Sequence, residues 1–566
     1  MKKGKKLIAL LVVMLMCVAL FASCKGGNDN NNNNTNTNTD SNTNSNSNTD
    51  SNSNSNSNTD SNSNSNANNQ TSTDGGQASG IVSARDNLTV VVTMDGGTLD
   101  PVYLYTNDIQ NALGLIYDTL WVIDENDNID WRVATALDRS DPLKWIITIR
   151  DDVYFENGNK LTASDVLFSL TLVENRRGEP ALFGNVDFDN SRVIDDTTIE
   201  VCFSIYNINI VYYFATTFLF DEESFDYEKV AYETMGSGPY TLQDYVVNSH
   251  MILKKRDGYW GTPALIDTIT FRVMVEEAQR VNALQTGEVD ISSVPFQDIE
   301  FVKTLPNCEV LMTSTTMTTS LWFNTHPDRG LFTNNLDARL AVAHAIDPQA
   351  VLNVAFSGYG NLGRAPYSSA ITDVFPALLD LGIYDHGYDP ELARSYAEKA
   401  GLMDKTLVLI NNGSPSNVTT CELIHGFMKD IGVTVEIRSY DMGSWLAVVF
   451  DGSAWDMSID FTAGNTVAQA LQFWWAMQAG GDYANPDSIS TYPGKDRYIE
   501  LASDIMSVTD RAELDSRYQE MTDILIESVI YMTLVESVGA QAYNPNLVLP
   551  RLMYGAIDYK AAYWAS

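Results

Sequence analysis

Residues 145–170, WIITIRDDVYFENGNKLTASDVLFSL, are the stretch that decides the fold of this 566-residue chain. Every second residue from Trp145 to Ile149 is large and apolar, which is the period of a half-buried strand. Asn157 and Gly158 follow as a strong tight-turn signal, because both residue types tolerate positive φ. The stretch therefore predicts a strand, a turn and then a helix.

The helix of this stretch has its own start signal. Thr162 predicts the N-terminal cap, and Asp165 at the third helical position completes a capping box with Asp in place of the usual Glu. Val166, Leu167 and Leu170 supply the apolar face of the helix. Local physics alone thus predicts an ordinary strand-turn-helix unit.

The whole stretch also resembles the signature of family 5 extracytoplasmic solute-binding proteins, the oligopeptide- and dipeptide-binding receptors of ABC importers. Further segments resemble other elements of that family, in the family's order, over most of residues 82–566. These segments are 99–101 (LDP), 236–240 (GSGPY), 259–261 (YWG), 284–290 (LQTGEVD), 321–324 (LWFN), 347–348 (DP) and 388–393 (YDPELA). Such collinearity is more specific than any single motif, and it points to binding rather than catalysis.

Hydrophobic periodicity predicts the remaining elements. The strands are predicted at 88–93, 266–273, 407–410 and 433–440, and the helices at 109–120, 276–286, 339–346 and 421–431. Asp347 and Pro348 suit the cap and the first position of another helix. Alternation of strands and helices predicts β-α-β units.

The resemblance implies an α/β fold with two lobes, of the periplasmic-binding-protein type II (cluster C), with an extra subdomain in the first lobe. It places the first lobe at residues 82–315 plus 536–566, with the subdomain at about 131–234, and the second lobe at 316–535. We expect the ligand to bind in the cleft between the lobes and to be enclosed by hinge closure.

The N-terminal segment, residues 1–23, has the layout of a secretory signal, with four lysines before an apolar run and small residues before Cys24. Residues 20–24 (LFASC) resemble a bacterial lipobox, although Phe21 stands where that motif usually has Leu. Cys24 is therefore predicted to carry a lipid anchor. The alternative is a plain secreted protein whose Cys24 is incidental.

Residues 24–80 are almost only Asn, Ser, Thr, Asp, Gly and Gln. Such a segment cannot bury enough apolar surface to offset the entropy of ordering, so we predict a disordered tether. Signal, lipid and tether together predict an extracytoplasmic protein, anchored to the outer face of the cytoplasmic membrane.

The charge and the cysteines limit the remaining possibilities. A formal net charge of −38 argues against nucleic acid and anionic membrane surfaces as partners, because phosphate binding needs stripes of Lys and Arg. Besides the signal and lipid cysteines, Cys202, Cys308 and Cys421 remain. One disulfide and three free thiols both stay open for them.

Polar ligand contacts are predicted from the resemblance. In the family, the segment after a "DM" dipeptide supplies an acid that pairs with the peptide amine. Here that segment is 455–465 (WDMSIDFTAGN), which places Asn465 near the acidic position. A neutral amide cannot replace a carboxylate's attraction for an ammonium, so Asp460 is the substitute candidate. Thr462 and Asn324 complete the polar set, with solvated or capping roles as the alternative.

Aromatic ligand contacts are predicted at Trp322, Trp475 and Tyr103. Flat apolar faces suit peptide side chains and also the apolar faces of sugars. The alternative is that these side chains belong to the core, as most large aromatics do.

An enzymatic function has no supporting constellation of residues. Residues 358–363 (GYGNLG) fit GxGxxG, but Pro366 follows where a phosphate-binding helix should begin, which favours a loop. Residues 124–128 (DENDN) start like a calcium loop, yet Ile129 occupies its Gly position, which favours a turn. The sequence contains no HExxH, GxSxG or Walker motif, and we expect no catalysis, no cofactor and no metal site.

The leading hypothesis is a monomeric, lipid-anchored receptor that captures an oligopeptide and delivers it to the transmembrane subunits of an ABC permease. The alternative is an oligosaccharide receptor of the same fold, which Asn465 and the tryptophans favour. An extracellular hydrolase or an adhesion protein on a stalk comes third, and a hydrolase would require acid and base groups that converge in the cleft.

Overall fold

The computed structural model describes residues 82–566 except 103–106, 125, 178–185, 208, 326–328, 372–386, 463, 465, 469, 472–491, 553–555 and 566. The predicted signal and tether, with Cys24, lie outside the described residues. So do three predicted ligand contacts, Tyr103, Asn465 and Trp475.

Strands and helices alternate along the described chain. Its first half contains β1 (Asn87–Val92), α1 (Asn107–Leu113), β2 (Trp121–Ile123), β3 (Ile129–Trp131), β4 (Ala134–Asp141), β5 (Lys144–Ile149), α2 (Ala163–Arg177), β6 (Val186–Asp195), β7 (Thr198–Phe203), α3 (Ile210–Thr216), β8 (Tyr240–Val246), β9 (His250–Lys255), β10 (Thr268–Val273), α4 (Glu277–Thr286), β11 (Ile291–Ser293) and α5 (Ile299–Val302). Its second half contains β12 (Glu309–Phe323), α6 (Leu336–Ala345), α7 (Pro348–Ala355), β13 (Asn361–Leu362), α8 (Pro390–Ala400), β14 (Thr406–Asn411), α9 (Pro415–Asp430), β15 (Thr434–Ser439), α10 (Met442–Asp451), β16 (Met457–Thr462), α11 (Lys495–Asp504), α12 (Arg511–Ser528), β17 (Tyr531–Tyr543), β18 (Leu547–Val548) and β19 (Tyr563–Trp564).

One large mixed sheet runs through the molecule. Its strands lie in the order β15-β14-β16-β12-β17-β11-β1-β10-β9-β8, and β13 also pairs with β17. β1 is parallel to β10 and β14 is parallel to β15, whereas β12 pairs antiparallel with both β16 and β17. A separate sheet, β4-β5-β7-β6, contains the strand of the stretch quoted first.

Two large hydrophobic cores lie along the main sheet. We call the buried side chains within residues 88–291 and 547–564 the first core, and those within residues 321–535 the second core. The chain thus returns to the first core with its C-terminal tail. The predicted lobe boundaries stay a prediction, and these two cores are the packing units against which they can be tested.

The decisive stretch folds as the sequence predicts. Trp145 is buried on β5, and the side chain of Asn157 in the turn donates to the carboxylate of Asp221 at 2.6 Å. The backbone N–H of Thr162 donates to Asp165 at 2.7 Å, and α2 begins one residue later. The strand, the turn and the capped helix are confirmed.

The helix predicted over residues 109–120 is wrong at its C-terminal end, because α1 ends at Leu113. The backbone N–H of Gly238 donates to the carbonyl of Ile116 at 2.8 Å, so tertiary pairing replaces helical hydrogen bonds there. A Cβ on Gly236 would lie 1.9 Å from that same carbonyl oxygen. The close approach of the GSGPY turn therefore requires glycine and ends the helix early.

The predicted elements of the second half are confirmed in kind and order, but α9 begins at Pro415, six residues before the predicted start at Cys421. β14, α9 and β15 form the expected β-α-β unit with parallel strands. Asp347 caps α7, because its carboxylate accepts hydrogen bonds from the backbone N–H groups of Gln349 and Ala350. Pro348 occupies the first turn of that helix, where its missing N–H costs no intrahelical bond.

The two motifs that superficially resembled ligand loops are structural. The carboxylate of Asp124 accepts from the backbone N–H of Asn128 at 2.8 Å, which closes the turn between β2 and β3. Within residues 358–363, Asn361 and Leu362 form β13 at the side of β17. The predictions of a turn and of a loop without a phosphate-binding helix are confirmed.

β12 and β17 join the strands of the two cores. Their ladder is interrupted between Ser314 and Thr318, where the register shifts. There the hydroxyl of Thr315 donates to the carbonyl of Ser537 at 2.8 Å, and the hydroxyl of Ser368 donates to the carbonyl of Thr315 at 2.7 Å. Side chains thus replace part of the backbone ladder at this point.

Candidate ligand-binding face

The strand positions of three predicted ligand contacts lie close together in the main sheet. In the β12–β16 ladder, Trp322 lies opposite Ser458, Ser320 opposite Asp460, and Thr318 opposite Thr462. Residues that face each other across an antiparallel pair point to the same side of the sheet, and so do residues two apart on one strand. The register therefore brings the strand positions of Trp322, Asp460 and Thr462 together, and we call this surface the polar face.

Asp460 is a buried carboxyl with unused hydrogen-bonding capacity. Its residue is 1% exposed, and its Oδ1 accepts from the backbone N–H of Phe461 at 2.6 Å. Within the described part of the chain, its Oδ2 has no partner. Burial disfavours the charged form and raises the pKa of Asp460 well above its ordinary value. Burial therefore favours the neutral form of this carboxyl, whereas a nearby cation would favour the ionised form.

A cluster of hydroxyls adjoins Asp460 on the polar face. The hydroxyl of Ser320, directly opposite Asp460, lies 2.7 Å from that of Tyr531 and 3.0 Å from that of Thr318. The hydroxyls of Thr318 and Tyr531 are 3.3 Å apart. Each hydroxyl both donates and accepts, so the cluster can reorient its protons around either form of the acid.

Trp322 is fully buried in the second core. Its ring centroid lies 5.9 Å from that of Tyr531. Among the described residues, its Nε1 donor has no acceptor. The polar face thus holds one unused donor and one unused acceptor on adjacent strands, and a ligand contact at Trp322 stays a prediction.

The side chain of Asn324 hydrogen-bonds to the loop that precedes β16. Its Nδ2 donates to the carbonyls of Gly452 and Trp455, each at 2.7 Å, and the residue is 4% exposed. These bonds fix the loop between α10 and β16. Its predicted ligand contact also stays a prediction.

Sequence reasoning missed Glu536, which lies opposite Thr318 on β17. The residue is 3% exposed, burial raises the pKa of its carboxyl, and Ser369 donates to it at 2.5 Å. A glutamate inside the mostly apolar run of residues 531–543 is the signal that could have found it. Glu536 adds a second buried acid to the polar face.

A contrasting buried acid, Asp118, lies in the first core. Its carboxylate accepts from the Ser237 hydroxyl and the Trp260 indole, both at 3.0 Å, and from the Lys560 ammonium at 2.7 Å. The Tyr259 hydroxyl donates to it at 3.3 Å. The GSGPY turn, the YWG segment and the C-terminal tail therefore meet at one carboxylate.

Other features of the described residues lie apart from the polar face. A cavity of about 280 Å³ is bounded by α1, α3 and the C-terminal tail, and Arg132 and Lys560 are among its lining residues. Cys202, Cys308 and Cys421 are free thiols, which decides the question left open by the sequence. No set of three or more His, Cys, Asp or Glu side chains in the described ranges is arranged to hold a metal ion.

None of the described helices is both long enough and apolar enough to cross a bilayer.

Comparison with solved structures identifies the fold. The ABC transporter substrate binding protein CtaP of Listeria monocytogenes superposes with a TM-score of 0.74 at 18% identity, over 85% of this chain and 100% of that one. This likeness establishes the fold, and the predicted two-lobed α/β periplasmic-binding-protein architecture is confirmed.

The family follows from the sequence match. Residues 130–485 match the family described as bacterial extracellular solute-binding proteins, family 5 Middle, and the chain belongs to this family. The glutathione-binding protein GsiB of Salmonella paratyphi A is 26% identical over 486 residues, 82% of this chain and 91% of that protein. The nickel-binding periplasmic protein of Escherichia coli K12 is 22% identical over 510 residues, 84% of this chain and 93% of that one. The protein is an extracytoplasmic solute-binding protein and not an enzyme.

Proposed function

We propose that the protein captures oligopeptides in the cleft between its two lobes and delivers them to the transmembrane subunits of an ABC permease. We further propose that Cys24 carries a lipid which holds the receptor at the outer face of the cytoplasmic membrane, with residues 24–80 as the tether. The lobes in this proposal are residues 82–315 with 536–566, and residues 316–535.

The observation that carries the peptide proposal is the carboxyl of Asp460. A buried acceptor without a partner destabilises the fold by about 1–3 kcal/mol, and such groups concentrate at functional sites. An ionised carboxyl makes short, strong hydrogen bonds to an ammonium, and a peptide carries a free ammonium at its N-terminus. The hydroxyls of Ser320 and Tyr531 offer neutral partners beside it.

Relatives support a peptide but leave other cargo open. The glutathione-binding relative takes a tripeptide with a free amine, whereas the nickel-binding relative takes a metal. Family membership constrains the fold more than the cargo. The chemistry of Asp460 is therefore a better guide to the ligand than the family is.

A matched set of ligands tests the proposal. Thermal unfolding of the purified protein is measured with trialanine, N-acetyl-trialanine, glutathione, maltotriose and nickel-histidine. A ligand at 100 times its dissociation constant stabilises the fold by about 2.7 kcal/mol. We expect a shift with trialanine or glutathione and a much smaller one with N-acetyl-trialanine, because acetylation removes the ammonium. Stabilisation by maltotriose alone would replace the peptide by a saccharide and leave the receptor fold intact.

A further inference from the structure

A buried side-chain hydrogen bond joins the two cores. The hydroxyl of Thr466 donates to the Oδ1 of Asn209 at 2.8 Å, although the two residues are 257 positions apart. Asn209 has no exposed surface and Thr466 is 1% exposed. Because water cannot reach the pair in this arrangement, no solvent molecule competes for the bond.

Each partner is fixed to its own core. Asn209 immediately precedes α3, whose Ile210 and Phe214 are buried in the first core. Thr466 lies four residues after the end of β16, next to Val467, which is buried in the second core. The bond therefore joins two segments that pack in different cores, and both of its residues lie outside the shared strands β12 and β17.

We propose that Asn209 and Thr466 form a latch that positions the two cores in the closed arrangement and slows the release of any bound ligand. Relative rotation of the cores breaks the bond and exposes both groups to water. A neutral hydrogen bond of this kind changes an equilibrium constant by roughly 2- to 13-fold. The latch affects closure of the two cores and not recognition of the ligand, so it is independent of which ligand the protein binds.

A second polar contact, between Tyr359 and the pair Lys303 and Glu300, serves as the matched control. The hydroxyl of Tyr359 lies 3.2 Å from the ammonium of Lys303 and also contacts Glu300. This contact is exposed and lies close to the point where β13 pairs with β17. Exposed polar contacts contribute little, and one beside the shared strands changes little when the cores rotate.

The test compares four variants of the full-length protein in detergent. Thr466→Val removes the donor at constant shape, Thr466→Ser keeps the donor, Asn209→Asp keeps the acceptor, and Tyr359→Phe is the control. Dissociation and association rates of glutathione and trialanine are measured by stopped flow, and the radius of gyration of the ligand-free protein is measured by small-angle scattering. Circular dichroism checks that each variant is folded.

We expect Thr466→Val to raise the dissociation rate roughly 2- to 13-fold, to leave the association rate within twofold, and to increase the radius of gyration. Thr466→Ser and Tyr359→Phe should stay within twofold of the unmodified protein. Asn209→Asp, which keeps the acceptor, should also stay within twofold of the unmodified protein.

Two results would overturn the latch. The first is a Thr466→Val protein whose dissociation rate and radius of gyration equal those of the unmodified protein. The second is a Thr466→Ser protein that behaves like Thr466→Val, since this would assign the effect to the methyl group. If neither probe binds, the peptide proposal fails, and the radius of gyration alone decides on the latch.

Discussion

Asp118 in the first core and Asp460 in the second are both acids with almost no exposed surface, yet their surroundings differ. Asp118 accepts from four side chains, one of them an ammonium. Among the described residues, the backbone N–H of Phe461 donates to one oxygen of Asp460, and the other oxygen has no partner. A saturated acid ties segments together, whereas an unsaturated one retains the capacity to bind something else.

The strongest test of this comparison is to remove the saturated acid. We expect Asp118→Ala to lower the free energy of unfolding by about 3–5 kcal/mol, because the Lys560 ammonium and the Ser237 hydroxyl lose their buried acceptor. Urea denaturation at pH 7 measures the change. The control is Lys399→Met, which removes an exposed ion pair with Asp337 and should change the free energy of unfolding far less, because solvent screens that pair. An Asp118→Ala loss as small as that of the control would contradict the prediction.

Asp456 tests whether the contribution of a buried acid to stability depends on its hydrogen bonds or on the core in which it lies. It belongs to the same core as Asp460 and lies four residues before it, yet it accepts from the backbone of Val408 at 2.8 Å and from the guanidinium of Arg329 at 2.6 Å. We expect Asp456→Ala to lower the free energy of unfolding by about 1.5–3 kcal/mol. If Asp456→Ala destabilises the fold no more than Asp460→Asn does in the same urea titrations, the number of hydrogen bonds to each acid does not explain their different contributions to stability.

Substitution of a hydrogen-bonded acid usually lowers the free energy of unfolding, whereas we expect Asp460→Asn to raise it as the pH increases. The folded pKa of Asp460 is raised, so its neutral form favours folding below the unfolded pKa of about 3.9, and this contribution is lost as pH rises through the folded pKa. The unmodified protein should therefore lose stability relative to Asp460→Asn with rising pH. The difference is about 1.4 kcal/mol for each unit between the two pKa values.

Urea denaturation of both proteins at pH 3.5, 5, 6.5 and 8 measures this difference. The raised pKa of Glu536 is common to both proteins and cancels in the comparison. Parallel stability curves over this range would show that Asp460 is not held neutral by burial.

The smallest effect concerns ligand affinity. An ammonium that binds beside Asp460 must displace the carboxyl proton, so the affinity for trialanine should rise with pH, at most about tenfold per unit, up to the folded pKa. Calorimetry in two buffers of different ionisation enthalpy measures the released proton, and Asp460→Asn should release none. A pH-independent affinity would place the ammonium elsewhere.

The fold was predictable because its signals are local. The strand, the turn and the capped helix that start at Trp145 follow from residues within one another's reach, and so does the Asp347 cap of α7. The helix predicted over 109–120 failed at its end, where the Gly238 turn, more than a hundred residues away, takes over the backbone bonds. Local patterns predict elements until a distant segment competes for the same groups.

The candidate site was only partly predictable for the same reason. The sequence nominated Asp460 through a family motif, but burial and the missing partner depend on strands that the chain brings together from far apart. The bond between Asn209 and Thr466 has no sequence signal at all, because an Asn and a Thr 257 positions apart look like ordinary polar residues. Long-range pairing decides which polar residue is a cap, a brace or a free binding group.

The interruption between Ser314 and Thr318 has a mechanical consequence. A pair of β-strands resists stretching along its axis because its chains are covalent. Its resistance to bending comes from the backbone hydrogen bonds between the strands. Between Ser314 and Thr318 some of these backbone hydrogen bonds are replaced by side-chain hydrogen bonds, such as that from the Thr315 hydroxyl, which can break one at a time. The register shifts again between Thr319 and Ser320. Bending of the two paired strands is therefore concentrated between Ser314 and Ser320, and elastic deformation between the two cores is taken up there.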